Sequence, residues 1–121
     1  MAPVLLTKRI EFAAAHRYYK AEWDEAKNRL NQEKHGVAFE LAQFAFFDER
    51  RVIAEDLGHS NKEQRYYCFG WVGDGVMTVR FTWREERIRF FGAGYWRKGK
   101  TFYERENKKV QQGRDREAED R

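Results

Sequence analysis

The chain has almost no cysteine or serine and no long uncharged segment. Cys68 is the only cysteine, which excludes an intramolecular disulfide and a cysteine-based zinc site and indicates a reducing cytoplasm. Ser60 is the only serine, and its neighbours His59 and Asn61 exclude the glycine-flanked serine nucleophile of hydrolases. The longest uncharged run covers residues 66–73, which is too short to span a bilayer, so no membrane partner is predicted.

Targeting and cofactor motifs are also missing. Residues 1–7 lack basic side chains and form too short a segment for a secretory signal peptide. Gly92 and Gly94 are not followed by the further glycine that a dinucleotide-binding loop requires. The histidines are widely spaced along the chain: His16, His35 and His59. The sequence therefore predicts no metal site and no cofactor.

Charged and aromatic side chains are abundant instead. The 121 residues include 24 Lys and Arg against 20 Asp and Glu, which gives a formal net charge of +4. Aromatic residues make up 17% of the chain, too many for a disordered segment. We therefore expect one domain with a single core beneath a highly charged surface.

The first half of the chain predicts two helices. Asp24 is a good N-cap, and Gly36 stands where a C′ glycine ends a helix. The apolar stripe of this first helix is thin and consists of Trp23, Ala26 and Leu30. Most of its surface is therefore expected to face water or a partner. Residues 38–47 predict a second helix that is apolar on nearly all sides and belongs to the core.

Beyond residue 51 the period changes to two, which predicts an antiparallel sheet. Strands are expected over 51–56, 65–72, 76–84 and 87–93, with a further short strand over 6–12 and a final helix over 98–109. Pairing Arg84 with Arg87 and Val72 with Val76 defines one apolar face against the core helix, consisting of Tyr67, Phe69, Trp71, Met77, Val79, Phe81, Trp83, Ile88 and Phe90. A one-residue bulge at Gly73 would shift the first of these pairings.

The opposite face of this sheet carries mainly basic side chains. Its expected members are Tyr66, Thr78, Arg80, Thr82, Arg84, Arg87 and Arg89. Like charges paired across strands destabilise a sheet, so this pattern indicates an anion lying across the face. Guanidinium groups bind phosphate bidentately, which favours nucleic acid. The alternative is a solvated face that is balanced by Glu85, Glu86 and the charged tail.

A series of short motifs runs through residues 22–107. They are Glu22 to Lys27, Asn31, Lys34 to Val37, Phe39-Glu40, Glu55-Asp56, His59-Ser60, Arg65-Tyr66, Gly70, Thr82, Arg84, Arg87 to Arg89 and Tyr103-Glu104. In order and spacing these motifs resemble the BrnT family, the toxin half of a bacterial type II toxin–antitoxin pair.

The resemblance implies an α+β, RelE-like fold in which an antiparallel β-sheet packs against helices. It implies a metal-independent ribonuclease, a cytoplasmic hydrolase that binds RNA and inhibits translation and growth. It also implies a ribbon-helix-helix antitoxin partner, similar to BrnA, through which alone the toxin would reach promoter DNA.

Cleavage of RNA without a metal uses the neighbouring 2′-hydroxyl as the nucleophile, so cations and a proton-transfer group are the expected catalytic parts. Arg84, Arg89 and Lys98 would hold the scissile phosphate, Arg65 would stabilise the transition state, and His35 would transfer protons. The expected RNA-binding residues are Lys34, Tyr66, Arg80 and Arg87. The alternative role for His35 is a simple helix cap.

One departure from the family pattern lies after the last strand. The family typically has Ser-Ala-Arg there, whereas this chain has Gly92-Ala93-Gly94, so glycine replaces an expected arginine. Arg97 and Lys98 are nearby candidates to substitute for it. The missing charge favours an alternative function, a non-catalytic module that binds the antitoxin or RNA without cleaving.

The other departure is the N-terminal extension, residues 1–21, which is a candidate edge strand. It precedes the expected toxin domain, residues 22–110, and a charged tail, residues 111–121, that is either frayed or ordered by a partner. The opening Lys8 to Tyr19 is similar to that of 6-pyruvoyltetrahydropterin synthases, whose histidine binds zinc together with a later His-x-His pair. This chain contains no such pair, so His16 cannot complete that zinc site.

Overall fold

A computed structural model describes residues 20–59 and 62–119. The strands are β1 (Lys20–Glu22), β2 (Val52–Glu55), β3 (Arg65–Val72), β4 (Gly75–Arg84) and β5 (Arg87–Gly94). The helices are α1 (Glu25–His35), α2 (Phe39–Ala42) and α3 (Arg97–Glu119), with 3-10 turns at Gln43–Phe47 and Leu57–His59. The α+β class is confirmed. The predicted strand over 6–12 and the segment similar to the pterin enzymes lie outside the described residues.

The sheet is mixed rather than purely antiparallel. Its strand order is β1-β5-β4-β3-β2, and β1 pairs in parallel with β5 at one edge. The other neighbouring strands are antiparallel, as predicted. The period-two pattern could not predict β1, because three residues are too few to establish an alternation.

Helix α1 begins and ends where its caps predict. Asp24 accepts hydrogen bonds from the Ala26 and Lys27 amides, and Gly36 adopts φ 68° at the C-terminal end. The predicted apolar stripe is wrong, since Ala26 and Leu30 are exposed. The side of the helix that packs on the protein instead buries two asparagines, Asn28 and Asn31.

The predicted core helix is two shorter pieces, α2 followed directly by the 3-10 turn Gln43–Phe47. Together they cover one face of the sheet, where Phe90 stacks on Phe46 at 5.8 Å between ring centroids. Trp23 stacks on the same Phe90 ring at 5.4 Å. Gly70 lies so close to the Ala45 carbonyl that a Cβ there would overlap it, so only glycine lets the 3-10 turn reach β3.

The β4–β5 hairpin has the predicted register, with Arg84 opposite Arg87. The predicted β3–β4 register is wrong by one residue. Val72 pairs with Gly75, because the turn contains two residues and begins with Gly73 at φ 62°. Each β3 side chain therefore changes face. Tyr67, Phe69 and Trp71 lie opposite the core face, and Tyr66 lies on it.

On that second face, helix α3 covers one half of the sheet. Phe69, Val76 and Tyr103 form a small apolar cluster there, against which Phe102 packs. Gly99 brings the first turns of α3 directly onto Thr78. The helix continues to Glu119, well beyond the predicted end at 109, and its last ten described residues, 110–119, are exposed.

Candidate functional site

The half of the second face that α3 leaves open is the candidate site. We call it the arginine surface, and its members are Arg65, Tyr67, Arg80, Thr82, Arg84, Arg87 and Arg89. The strand register places Arg65, Thr82 and Arg89 in one row across three strands. Tyr67, Arg80 and Gly92 form the next row. Five guanidinium groups from β3, β4 and β5 therefore share one surface.

Four of these arginines were predicted for this face, and the register error explains the two differences. Arg65 joins the surface because its strand is shifted by one residue relative to the prediction. Arg65 takes the position opposite Thr82 that was expected for Tyr66. Tyr67 lies opposite Arg80, and the Tyr66 ring instead stacks on Phe81 at 5.5 Å on the core side. The geometry thus gives Tyr66 no place on the arginine surface.

Two carboxylates balance part of this charge. Glu22 on β1 pairs with Arg87 at 3.2 Å and with Arg89 at 3.8 Å. Glu63, just before β3, pairs with Arg84 at 2.7 Å. The structure therefore adds Glu22 and Glu63 to the acidic residues considered from the sequence.

Arg80 differs from its neighbours in having no carboxylate or hydrogen-bond partner within residues 20–59 and 62–119. It is half-buried, and its side chain passes over Gly92, where a Cβ would lie 4.0 Å from the Arg80 Cδ. Burial and the nearby Asp56, which accepts a hydrogen bond from the tyrosine hydroxyl, raise the pKa of Tyr67, while Arg80 lowers it. A half-buried guanidinium with an unused fork of donors fits an anionic ligand.

Phe91 brings two further cations together at this site. The β4–β5 register shifts beside Arg80, which leaves Phe91 as the extra residue of a bulge. The Arg65 guanidinium lies 4.4 Å from its ring centroid, and the Lys27 ammonium lies 5.4 Å from it. Neither Lys27 nor Phe91 was predicted as a site residue. The only signal for Lys27 was its place in the Glu22 to Lys27 motif.

Helix α1 lies along the outer edge of β5 and carries Lys27, Asn31 and His35 at intervals of four residues. The Asn31 side chain accepts a hydrogen bond from the Ala93 amide at 3.1 Å and donates one to the Ala93 carbonyl at 2.9 Å. His35 packs edge-on against Trp96 with ring centroids 5.0 Å apart. His35 and its exposed neighbour Lys34 therefore lie beside the edge of β5, not on the arginine surface itself.

The Gly94 position is occupied by a neighbouring side chain. A Cβ at Gly94 would lie 2.7 Å from the Trp96 ring, so the indole fills the space where a residue 94 side chain would begin.

Lys98 is exposed in the first turn of α3, next to Gly99. The structure places it close to the covered half of the face and gives it no ion pair among the described residues.

The described part of the chain contains no group of three His, Cys, Asp or Glu side chains arranged to hold a metal ion. Cys68 is fully buried, and this burial raises the pKa of its thiol. None of the helices in this part of the chain has both the length and the apolar character that crossing a bilayer requires.

Comparison with protein families decides the relationship. The sequence profile of a family described as "Ribonuclease toxin, BrnT, of type II toxin-antitoxin system" matches residues 23–99, more than half of the chain. The chain belongs to the BrnT family. A search of curated proteins gave no match. The matched range includes α1, the whole arginine surface and Gly94. Membership of a type II toxin–antitoxin family implies an antitoxin partner.

Proposed function

We propose that this BrnT protein is a metal-independent ribonuclease that cleaves RNA on the arginine surface and thereby inhibits translation and growth in the cytoplasm. The observation that carries this proposal is Arg80, which is half-buried and unpaired among arginines from three strands of the described chain. A guanidinium whose donors no described residue uses is available for the charge that develops on a phosphate during cleavage.

In this mechanism the 2′-oxygen of a ribose attacks the adjacent phosphorus, and the bond from phosphorus to the 5′-oxygen breaks. Arg80 and Arg89 hold the phosphate, with Arg84, Arg87 and Lys98 along the RNA backbone. Arg65 stabilises the transition state because its stacking on Phe91 fixes its position.

Two protons must move in this reaction, one from the 2′-hydroxyl and one to the 5′-oxygen. We assign proton transfer to His35, with Lys34 beside it, at the β5 edge of the surface. Tyr67 lies within the surface, where its hydroxyl donates a hydrogen bond to Asp56.

The partner in this proposal is a ribbon-helix-helix antitoxin, similar to BrnA, that covers part of the arginine surface or the adjacent α1. The polar, mostly exposed surface of α1 and the guanidinium of Arg80, unpaired among the described residues, support this placement. The antitoxin would also contact promoter DNA, so that the toxin reaches DNA only through its partner. A complex in which Arg80, Arg84, Arg87 and Arg89 all stay exposed would contradict the placement.

The direct test is cleavage of RNA by the purified chain in excess chelator. Arg80→Gln should reduce the rate by about 100-fold to 1,000-fold, the usual effect of removing one charge-stabilising donor. Arg114→Gln is the matched control, since Arg114 is exposed on α3 and lies outside the arginine surface. Equal loss in both variants, or cleavage that stops on chelation, would refute the proposal.

The second candidate function is a non-catalytic module that binds the antitoxin or RNA. The observation that favours it is the Trp96 indole lying where the side chain of an arginine at position 94 would begin. A folded wild-type chain that binds RNA but does not cleave it would support this candidate. The double variant Gly94→Arg with Trp96→Ala would then be expected to gain cleavage, because the space for the arginine is restored.

A further inference from the structure

The indole of Trp96 lies flat on the second face of the sheet, at the border between the covered and the open half. Three neighbouring ring atoms lie 2.7, 2.8 and 3.0 Å from the position that a Cβ at Gly94 would take. Distances this similar place that position above the plane of the ring and not beside its edge. One face of the indole therefore rests on the backbone of Gly94, opposite Thr78 in the strand pairing.

The other face of the indole is directed outward. Trp96 is 37% exposed although one of its faces rests on the sheet. The His35 ring crosses the indole plane at 76°, so it does not stack on it. Helix α1 lies beyond the edge of β5, because Asn31 bonds to both edge groups of Ala93. His35 therefore approaches the indole from the side of the sheet.

The unpaired guanidinium of Arg80 belongs to the next row of the same face. Gly92 and Gly94 share this face because side chains alternate along a strand, and their Cα atoms are about 7 Å apart along β5. The Arg80 side chain passes over Gly92, where a Cβ would lie 4.0 Å from its Cδ. A cation without a carboxylate partner among the described residues and an outward aromatic face therefore lie side by side on bare backbone.

A nucleotide offers a matching pair of groups. Its phosphate takes the fork of an arginine, and its base has a flat π-face that stacks on an aromatic side chain. An acidic peptide would satisfy the arginine but offers no planar base to the indole. Bases within an RNA duplex are already stacked on each other, so only an unpaired base can reach Trp96.

We propose that Trp96 stacks on an RNA base next to the phosphate bound by Arg80 and thereby makes the arginine surface selective for single-stranded RNA. This inference deepens the proposed function and rests on it. Every base has a π-face, so the indole selects an unstacked base and not a particular sequence.

The test measures binding of two single-stranded oligonucleotides that cannot be cleaved. One is a 2′-O-methyl RNA, which has no free 2′-hydroxyl, and the other is an abasic 2′-O-methyl strand of the same length. The wild-type chain should prefer the strand with bases by about 5-fold to 150-fold, the range for one base stacked on an aromatic ring. Trp96→Leu should lose most of this preference, and Trp96→Phe should keep most of it.

Trp71→Leu is the matched control. Trp71 is another exposed tryptophan of the second face, and it lies opposite Val76 at the far end of the covered half. Its loss should leave the preference for bases unchanged. The preference is a ratio of two affinities of one protein, so a difference in folded fraction between variants cancels.

The salt dependence of binding distinguishes stacking from a disturbance of the neighbouring cation. Stacking releases no counterions, so Trp96→Leu should weaken binding of the 2′-O-methyl RNA by the same factor at every salt concentration. Arg80→Gln should instead reduce the slope of log affinity against log salt by about 0.7, the value for one phosphate on a single strand. A reduced slope in Trp96→Leu would mean that the indole acts only by holding Arg80, which would overturn the stacking proposal.

The outcomes separate this inference from the ribonuclease proposal. If the wild-type chain shows the Trp96-dependent preference for bases but cleaves no RNA, the ribonuclease proposal fails and the stacking role stands. If it cleaves RNA while Trp96→Leu keeps the preference, the stacking role is refuted and the ribonuclease proposal stands. Equal dependence on Trp96 for a duplex of the same 2′-O-methyl RNA, or no binding of either strand, also refutes the stacking role.

Discussion

The two halves of the second sheet face are built from the same three strands, yet they have opposite character. In the covered half, Phe69, Val76 and Thr78 are buried beneath α3. In the open half, further along β4, Arg80 is half-buried and the Arg84 side chain is 58% exposed. Helix α3 covers only half of the face and leaves the other half open for charged side chains.

The halves also differ in how polar groups are paired. In the covered half, the Tyr103 hydroxyl donates to Asp48 at 2.6 Å, and the Trp71 amide donates to the same carboxylate oxygen at 2.7 Å. In the open half, Arg80 has no such partner among the described residues. The covered half thus joins Tyr103 and Trp71 through one carboxylate, whereas the open half leaves the donors of Arg80 available to a ligand. Predictions can therefore separate stability, in one half, from activity, in the other.

The largest effect on stability is expected where α3 meets the sheet. Gly99→Ala would push a methyl group into Thr78 and Phe69 and should lower the free energy of unfolding by about 1–3 kcal/mol through overpacking. Gly113→Ala, in the same helix with open space around it, should instead raise it by up to about 1 kcal/mol. Urea denaturation measures both. Equal stabilities would mean that α3 is not seated on Thr78.

Two tyrosine variants next test whether the covered half supports stability and the open half supports cleavage. Tyr103→Phe removes the hydrogen bond to Asp48 and should cost about 1 kcal/mol of stability, with cleavage by the folded protein unchanged. Tyr67→Phe should reduce the cleavage rate instead, because its hydroxyl lies beside Arg80 on the open half. The comparison uses the RNA cleavage rates of both variants, measured at a temperature at which each variant is folded. Loss of cleavage in Tyr103→Phe alone would reverse the assignment.

A smaller effect is expected from the charge balance at the edge of the open half. Glu22→Gln releases Arg87 and Arg89 from their carboxylate partner. RNA binding should tighten, and the salt slope of log affinity should steepen by about 0.7 for each additional phosphate that the released arginines neutralise on a single strand. Glu63→Gln is the parallel variant for Arg84. An unchanged slope in both variants would show that these carboxylates do not compete with RNA.

The smallest effect near neutral pH concerns tyrosine ionisation. Burial, and then the hydrogen bond to Asp48, raise the pKa of Tyr103 above 10.0 in the folded protein. This contribution to stability is fully present below pH 10 and is lost as the pH rises through the folded-state pKa. Stability should therefore fall above about pH 10, and less steeply in Tyr103→Phe. Urea midpoints at several alkaline pH values measure the slope, and identical slopes would contradict the shift.

Local signals predicted the elements well. The caps Asp24 and Gly36 fixed both ends of α1, because caps act within a few residues of the helix end. The tight turn at Glu85 and Glu86 fixed the β4–β5 register, although both residues adopt positive φ, at 52° and 63°. The length of the turn at Gly73 could not be predicted in this way. A two-residue and a three-residue turn are both compatible with the alternation of side chains along β3 and β4.

Pairings distant in sequence were the part that could not be predicted. Asn28 and Asn31 follow the pattern of an exposed helix face, and their burial is explained only by the groups they meet in the fold. Asn28 bonds to the Phe39 amide and the Glu40 carboxylate, and Asn31 bonds to the backbone of Val37 and Ala93. Glu22 reaches Arg87 from 65 residues away through a three-residue parallel pairing. Alternation did predict Arg80, Arg84, Arg87 and Arg89 for one surface, but not Phe91, because a bulge breaks the alternation.

The pairing of Asn31 with β5 has a consequence for aggregation. An unpaired strand edge is a template on which another chain can add a strand, and β1 covers β5 only as far as Arg89. Further along this edge, Asn31 occupies the amide and the carbonyl of Ala93 as a neighbouring strand would. A toxin molecule released from its antitoxin thus keeps this edge closed to strand exchange. Asn31→Ala would open it and promote self-association without altering a single arginine.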